Sequence, residues 1–127
     1  MFWKIYFWFF LIITFAGHFS YFYIFPAEHR FLVYLGSFFS IISLVAIFGY
    51  AFKRKIIKPG FWKVFFFILI MWEISSFLLT AKWYPSEVNP INNPVTTLLT
   101  FVTSFPGYIA IYLYGFRSVE LWKNHYK

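Results

Sequence analysis

The sequence predicts an all-α integral membrane protein, a single antiparallel bundle of four transmembrane helices over residues 1–127. Three observations predict it. Hydrophobic residues make up 61% of the chain and aromatic residues 29%, well above the roughly 45–50% apolar content of ordinary soluble domains. Charged residues make up only 12%, too few to cover a water-facing surface. Those charges collect between four long apolar runs, each near the about 20 residues that a helix rising about 1.5 Å per residue needs to cross about 30 Å of hydrocarbon.

The first span is expected over residues 5–25, closed by Pro26. Lys4 followed by an apolar run has the look of a signal peptide, but the run continues to Phe25, long enough to span, so the first helix is expected to stay. The second span covers 31–52 and stops at Lys53-Arg54-Lys55. The third covers 64–81. The fourth covers 96–116 and holds Pro106-Gly107, where a kink or local unwinding is expected, tolerable if neighbours re-satisfy the freed carbonyl. Of the connections, 82–95 carries Pro85, Pro90, Pro94 and three Asn with no helical or strand period and should be irregular. In the tail 117–127, Val119, Trp122 and Tyr126 share one face of a short helix suited to the membrane interface.

Cationic loops resist translocation, so Lys and Arg near the span ends set orientation. Lys53, Arg54, Lys55, Lys58 and Lys63 fill the connection 53–63; Lys4 precedes the first span, and Arg117, Lys123 and Lys127 follow the last. The other two connections hold only Arg30 and Lys82. Both termini and the 53–63 loop are therefore expected in the cytoplasm, with 26–30 and 82–95 outside, in the cell (inner) membrane. Trp3, Tyr6, Tyr50, Trp62 and Tyr114 would mark the inner interface, and Tyr23, Tyr34, Trp83 and Tyr84 the outer one. The basic loop, Lys53, Arg54, Lys55, Lys58 and Lys63, could also contact anionic lipid, although topogenic anchoring explains its charges fully. The net charge of +7 lies beside apolar runs and not on a soluble face, so lipid is the expected partner and nucleic acid is not.

Lipid tails give helices no hydrophobic reason to associate, so small and weakly polar residues on one face mark the packed side. Each span has such a stripe: Thr14, Gly17, His18 and Tyr21; Gly36, Ser40, Ser43 and Tyr50; Glu73, Ser76 and Thr80; Thr96, Thr100, Thr103 and Gly107. The bulky remainder would face lipid. The short turn Pro26–Arg30 makes the first two helices neighbours, and the order of the other two stays open.

Glu73 is the most informative residue, an acid near the middle of the third span with no charged residue nearby. An ionised carboxylate there is costly, so Glu73 should be protonated much of the time or paired inside the bundle, either on a proton or cation pathway or as a neutral donor to hydroxyls on other helices. His18 lies at similar depth in the first span and could meet it as a relay or clamp, or simply hydrogen-bond between helices. With Ser76 and Thr103 these two form the expected intramembrane polar site. Zinc or iron would want three or four ligands where the interior offers two, and bis-histidine haem would need a second intramembrane His, so no metal or cofactor is expected. The absence of Cys excludes thiolate metal sites, iron–sulfur clusters and thiol redox chemistry. No phosphate loop, nucleophile elbow or zinc-protease helix is present, so no enzyme is expected.

Two readings follow. One is an accessory or assembly subunit that docks on a larger membrane complex or on its own copies along Gly36/Ser40 or Thr96/Thr100/Thr103. The sequence favours it for want of catalytic motifs. The other is an oligomeric proton-coupled small-molecule transporter using Glu73. In size and in its single membrane acid the chain resembles in plan the small multidrug-resistance transporters, which are four-helix dimers with one essential Glu. That Glu lies in their first helix, where this chain carries His18, so no residue role carries over.

Overall fold

The computed structural model describes residues 1–24, 27, 30–83 and 93–123, and among them every regular element is helical. Helix α1 runs Phe2–Ile24, α2 Arg30–Ala51, α3 Pro59–Trp83 and α4 Pro94–Tyr112; a π-helical turn, Leu113–Arg117, prolongs α4, and a short α5, Val119–Trp122, follows. Four helices are long and apolar enough to cross a membrane. α1 packs mainly on α2, and α4 lies against α1, α2 and α3, which settles the neighbours that the sequence left open.

Helix starts fall earlier than hydropathy alone suggests. α3 begins at Pro59 instead of near 64, and α4 at Pro94 instead of 96, because proline at the first helical position has its φ preset and lacks only an N–H that would have had no partner. Lys58 and Asn93 supply the first accepting carbonyls, to Phe61 N–H and Thr97 N–H at 3.1 Å each. Lys63 therefore belongs to α3, and the connection shortens to the segment between Ala51 and Pro59. Pro26, Glu28 and His29 of the turn between α1 and α2, and most of the 82–95 loop, lie outside the described residues.

That connection is tightly built. Lys53 (φ 52°) and Ile57 (φ 62°) are left-handed, a conformation unfavourable for a lysine and worse for a β-branched residue. At Lys53 it closes α2: Arg54 N–H reaches back to the Gly49 carbonyl at 2.9 Å and Lys53 N–H to that of Tyr50 at 3.4 Å, the two bonds of a Schellman cap. Tyr114, fully buried, fixes the rest: its hydroxyl donates to the Arg54 carbonyl at 2.6 Å and accepts from Ile56 N–H at 2.9 Å. Trp62 Nε1–H donates to the Ile56 carbonyl at 2.6 Å.

The hydrophobic core collects around this connection. Tyr6 and Phe7 of α1, Leu44, Ala46 and Ile47 of α2, Trp62, Phe65 and Leu69 of α3, and Ala110, Ile111 and Tyr114 are buried together with Trp122. Farther along the helices, Phe15, Phe19, Tyr34, Phe38, Ile74, Leu98 and Phe101 are exposed. Tyr6, Trp62 and Tyr114, expected to mark the inner interface, are buried inside the bundle and held by polar partners there. Trp122 is likewise interior, donating Nε1–H to the Tyr114 carbonyl at 2.9 Å instead of lying at an interface. Bulky rings thus fill the core where Gly49, Ala46, Ala110 and Gly115 leave room for them. The expectation that bulky residues face only outward holds at the other end alone.

Pro106 does not break α4, which stays helical to Tyr112. Proline at 106 leaves the Val102 carbonyl without its helical donor; at the adjacent carbonyl, that of Thr103, the Tyr6 hydroxyl of α1 donates a hydrogen bond at 2.8 Å. A Cβ at 107 would lie 3.0 Å from that hydroxyl oxygen, which is why glycine suits the position. The local irregularity comes later, in the π turn, where Ser118 N–H reaches Leu113 O at 2.9 Å and Gly115 is set against Trp62. Tyr6→Phe is expected to lower stability by about 1 kcal/mol, the usual worth of a buried bond to backbone in such bundles, read as an earlier unfolding midpoint in mixed detergent.

Candidate functional site

Beyond the aromatic core the helices separate, and a cavity of about 210 Å³ opens between them. Its apolar wall is built from Phe10, Ile13, Ile47, Leu69 and Ile111. Its polar wall draws on all four long helices, with His18 from α1, Ser40 and Ser43 from α2, Glu73 from α3, and Thr103 and Tyr108 from α4. The polar stripes read from the sequence account for most of it. Only side chains at intervals of three or four residues share a helix face, and each stripe has that spacing.

Glu73 is exposed at the rim of this cavity, where it opens to the bundle surface, and its carboxyl pairs with the Tyr108 hydroxyl. Tyr108 is half-buried, and burial of its ring brings the hydroxyl to the acid. His18 lies on the same cavity with different partners. Its Nδ1 is 2.7 Å from the Thr14 carbonyl, a group that can only accept, so Nδ1 carries the hydrogen. In the neutral ring Nε2 then presents a lone pair to Ser40 Oγ, 3.3 Å away.

The four residues expected to form the polar site are therefore not equivalent. His18, Glu73 and Thr103 line one cavity. Ser76 does not line it; its hydroxyl turns back to the Glu73 backbone carbonyl at 3.1 Å. Glu73 and His18 share the cavity through Tyr108 and Ser40 as separate partners. Tyr108 is the residue that sequence reading missed. Among ten tyrosines it carries no distinguishing pattern, except that it lies four residues after Ser104 and five after Thr103, on the face that the fourth stripe defines.

Lys53, Arg54, Lys55, Lys58 and Lys63 are all exposed at the aromatic-core end. Lys4 lies 5.4 Å from the Phe52 ring centre and Lys63 5.6 Å from that of Phe116, so the start of α1, the end of α2, the start of α3 and the end of the π turn meet at this one end. Among the described residues no group of three or more His, Asp or Glu could hold a metal ion. Comparison with protein-family models, with curated proteins and with solved structures gives no match.

Proposed function

We propose that this chain is a multi-pass protein of the cell membrane that binds a small ligand in the bundle cavity and exchanges it against a proton on Glu73. The observation that carries the reading is the convergence of Glu73, Tyr108, His18 and Ser40 on one cavity in an otherwise apolar bundle. A polar group is placed among apolar helices at a cost, and placing several around an open space is hard to account for by packing alone. One carboxylate can pair with a proton or with a ligand but not with both, so binding of either weakens binding of the other.

An antiparallel arrangement with both ends in the cytoplasm is supported by the gathering of Lys4, the 53–58 cations, Lys63 and the π turn ending at Arg117 at one end of the bundle. The accessory-subunit reading draws less support. Its proposed contact lines are turned partly toward the chain itself: Ser40, Thr100 and Thr103 line the cavity, Thr100 while still exposed, and the Gly36 Cβ position is 3.9 Å from the Trp72 ring.

The test is infrared carboxyl absorption of the lipid-reconstituted protein as pH is cycled, with Glu73→Gln as reference. A protonated-carboxyl band that is absent from the variant, disappears as pH rises and returns on acidification is the expected result. A Glu73 band indifferent to pH would make the acid a structural hydrogen-bonder and restore the accessory subunit as the better reading.

A further inference from the structure

The positions of the hydrogens on the cavity wall determine what it can hold. Ser43 Oγ–H donates to the Phe39 carbonyl at 2.8 Å, and Thr103 Oγ1–H is directed to Leu99 O at 2.8 Å and Thr100 O at 3.0 Å. His18 commits Nδ1–H to Thr14 O, and Ser40 Oγ–H faces the His18 Nε2 lone pair. Tyr108 is the donor to Glu73. A hydroxyl has one hydrogen and two lone pairs, so each of these groups has its hydrogen engaged inside the bundle and keeps acceptor capacity for the cavity. No Lys or Arg lines the space. Its polar wall therefore holds no cationic donor and offers the lone pairs of these groups beside the hydroxyls of Thr14, Thr100 and Ser104, with one carboxyl at the rim.

A carboxylate or phosphate entering such a space would find no cationic partner and would meet Glu73 as a like charge. A neutral carbonyl compound would leave the hydroxyl lone pairs unmatched, at the cost of desolvating them. We propose that the ligand of this cavity is a small organic cation bearing N–H bonds, a primary or secondary ammonium. Its charge pairs with Glu73, its N–H groups are taken by the lone pairs of Ser40, Ser43 and Thr103, and its hydrocarbon part lies against Phe10, Ile13 and Ile47. The cavity volume of about 210 Å³ is that of about seven water molecules at about 30 Å³ each, which sets the scale of the ligand. A quaternary ammonium has the charge without the N–H bonds and is the discriminating competitor.

This inference rests on the cavity being a binding site, and the experiment separates the two. Retention of labelled n-butylammonium is measured by equilibrium dialysis on lipid nanodiscs carrying the full chain, with empty nanodiscs as background. Butyrate is labelled in parallel, and tetramethylammonium is the unlabelled competitor. Saturable butylammonium retention is expected, with no saturable butyrate retention and with tetramethylammonium at least about tenfold weaker, the scale of charge-assisted hydrogen bonds. Glu73→Gln should weaken butylammonium at least about tenfold. Saturable butyrate without butylammonium would overturn the cation assignment and leave the site standing. Tetramethylammonium equal to butylammonium would overturn the role of the N–H donors. No saturable retention of either labelled probe would overturn both the assignment and the binding reading. These comparisons use the unmodified chain and so do not depend on the variant folding.

Discussion

Gly49→Ala is expected to cost about 3 kcal/mol, near the upper end of the range for overpacking a fixed core. A Cβ at position 49 would lie 2.5 Å from the Tyr114 hydroxyl oxygen and 2.6 Å from Cζ. Contact with the far end of a flexible side chain is normally relieved by a small rotation. Here the ring is fully buried, packed at a tilt with ring centres 5.4 Å from Trp62 and 5.1 Å from Trp122, and its hydroxyl holds both Arg54 O and Ile56 N–H. Moving the ring therefore breaks two bonds that hold a connection containing two left-handed non-glycine residues. Tyr114→Phe separates the two contributions. It leaves the Ile56 N–H and Arg54 carbonyl without their partner and removes the contact with the oxygen but not that with Cζ. The ring can then shift away from the new Cβ without breaking any further bond, so the double substitution Gly49→Ala/Tyr114→Phe should cost less than the sum of the single ones. Unfolding midpoints of the four proteins in mixed detergent micelles give the cycle directly. Strict additivity would show that the ring moves freely and that the connection is held by something else.

The long helices were legible in the sequence because hydropathy and charge placement are properties of whole segments, and four apolar runs bounded by cations leave little choice. The stripe of Thr14, Gly17 and His18 and that of Ser40 and Ser43 were legible for a similar reason, since a helix has one periodicity. What escaped is set by tertiary contact. Trp62 and Tyr114 look like interfacial anchors by composition and depth, and only the turn at Lys53–Ile57, whose unpaired backbone groups they satisfy, makes them interior. Pro106 announces a disturbance, but not that Tyr6, 97 residues from the Thr103 carbonyl it holds, bonds the backbone beside it, because no local pattern links them. The π turn at 113–117 follows from the close fit of Gly115 to Trp62, which is again a contact between segments. Glu73 was conspicuous by its isolation. Its partner Tyr108 was not, because a tyrosine in a chain with ten of them carries no signal until the helices are placed together.

Gly17→Leu should abolish ligand retention while leaving the fold intact, and it is the sharpest functional consequence of the cavity. Gly17 lines the space, yet a Cβ built there meets no atom within 4 Å, the opposite of Gly49. A larger side chain at that position extends into the void and not into a neighbour. Helical glycine is also destabilising by about 0.5–1 kcal/mol relative to alanine, so the substitution should leave the unfolding midpoint unchanged or raise it. Retention of n-butylammonium should nevertheless fall at least about tenfold, because the leucine occupies volume the ligand needs and lies beside His18 on the same helix. Gly60→Leu is the matched control: its Cβ position is equally open, but it is at the start of α3 and does not line the cavity, so retention should persist. A stable Gly17→Leu protein that binds as before would place the ligand elsewhere. A destabilised one would mean that α1 packs more closely at Gly17 than the cavity implies. Gly49 and Gly17 thus contrast a packed position that tolerates no added atom with a cavity wall that should accept several, and of these two only Gly17 can be altered without loss of the fold.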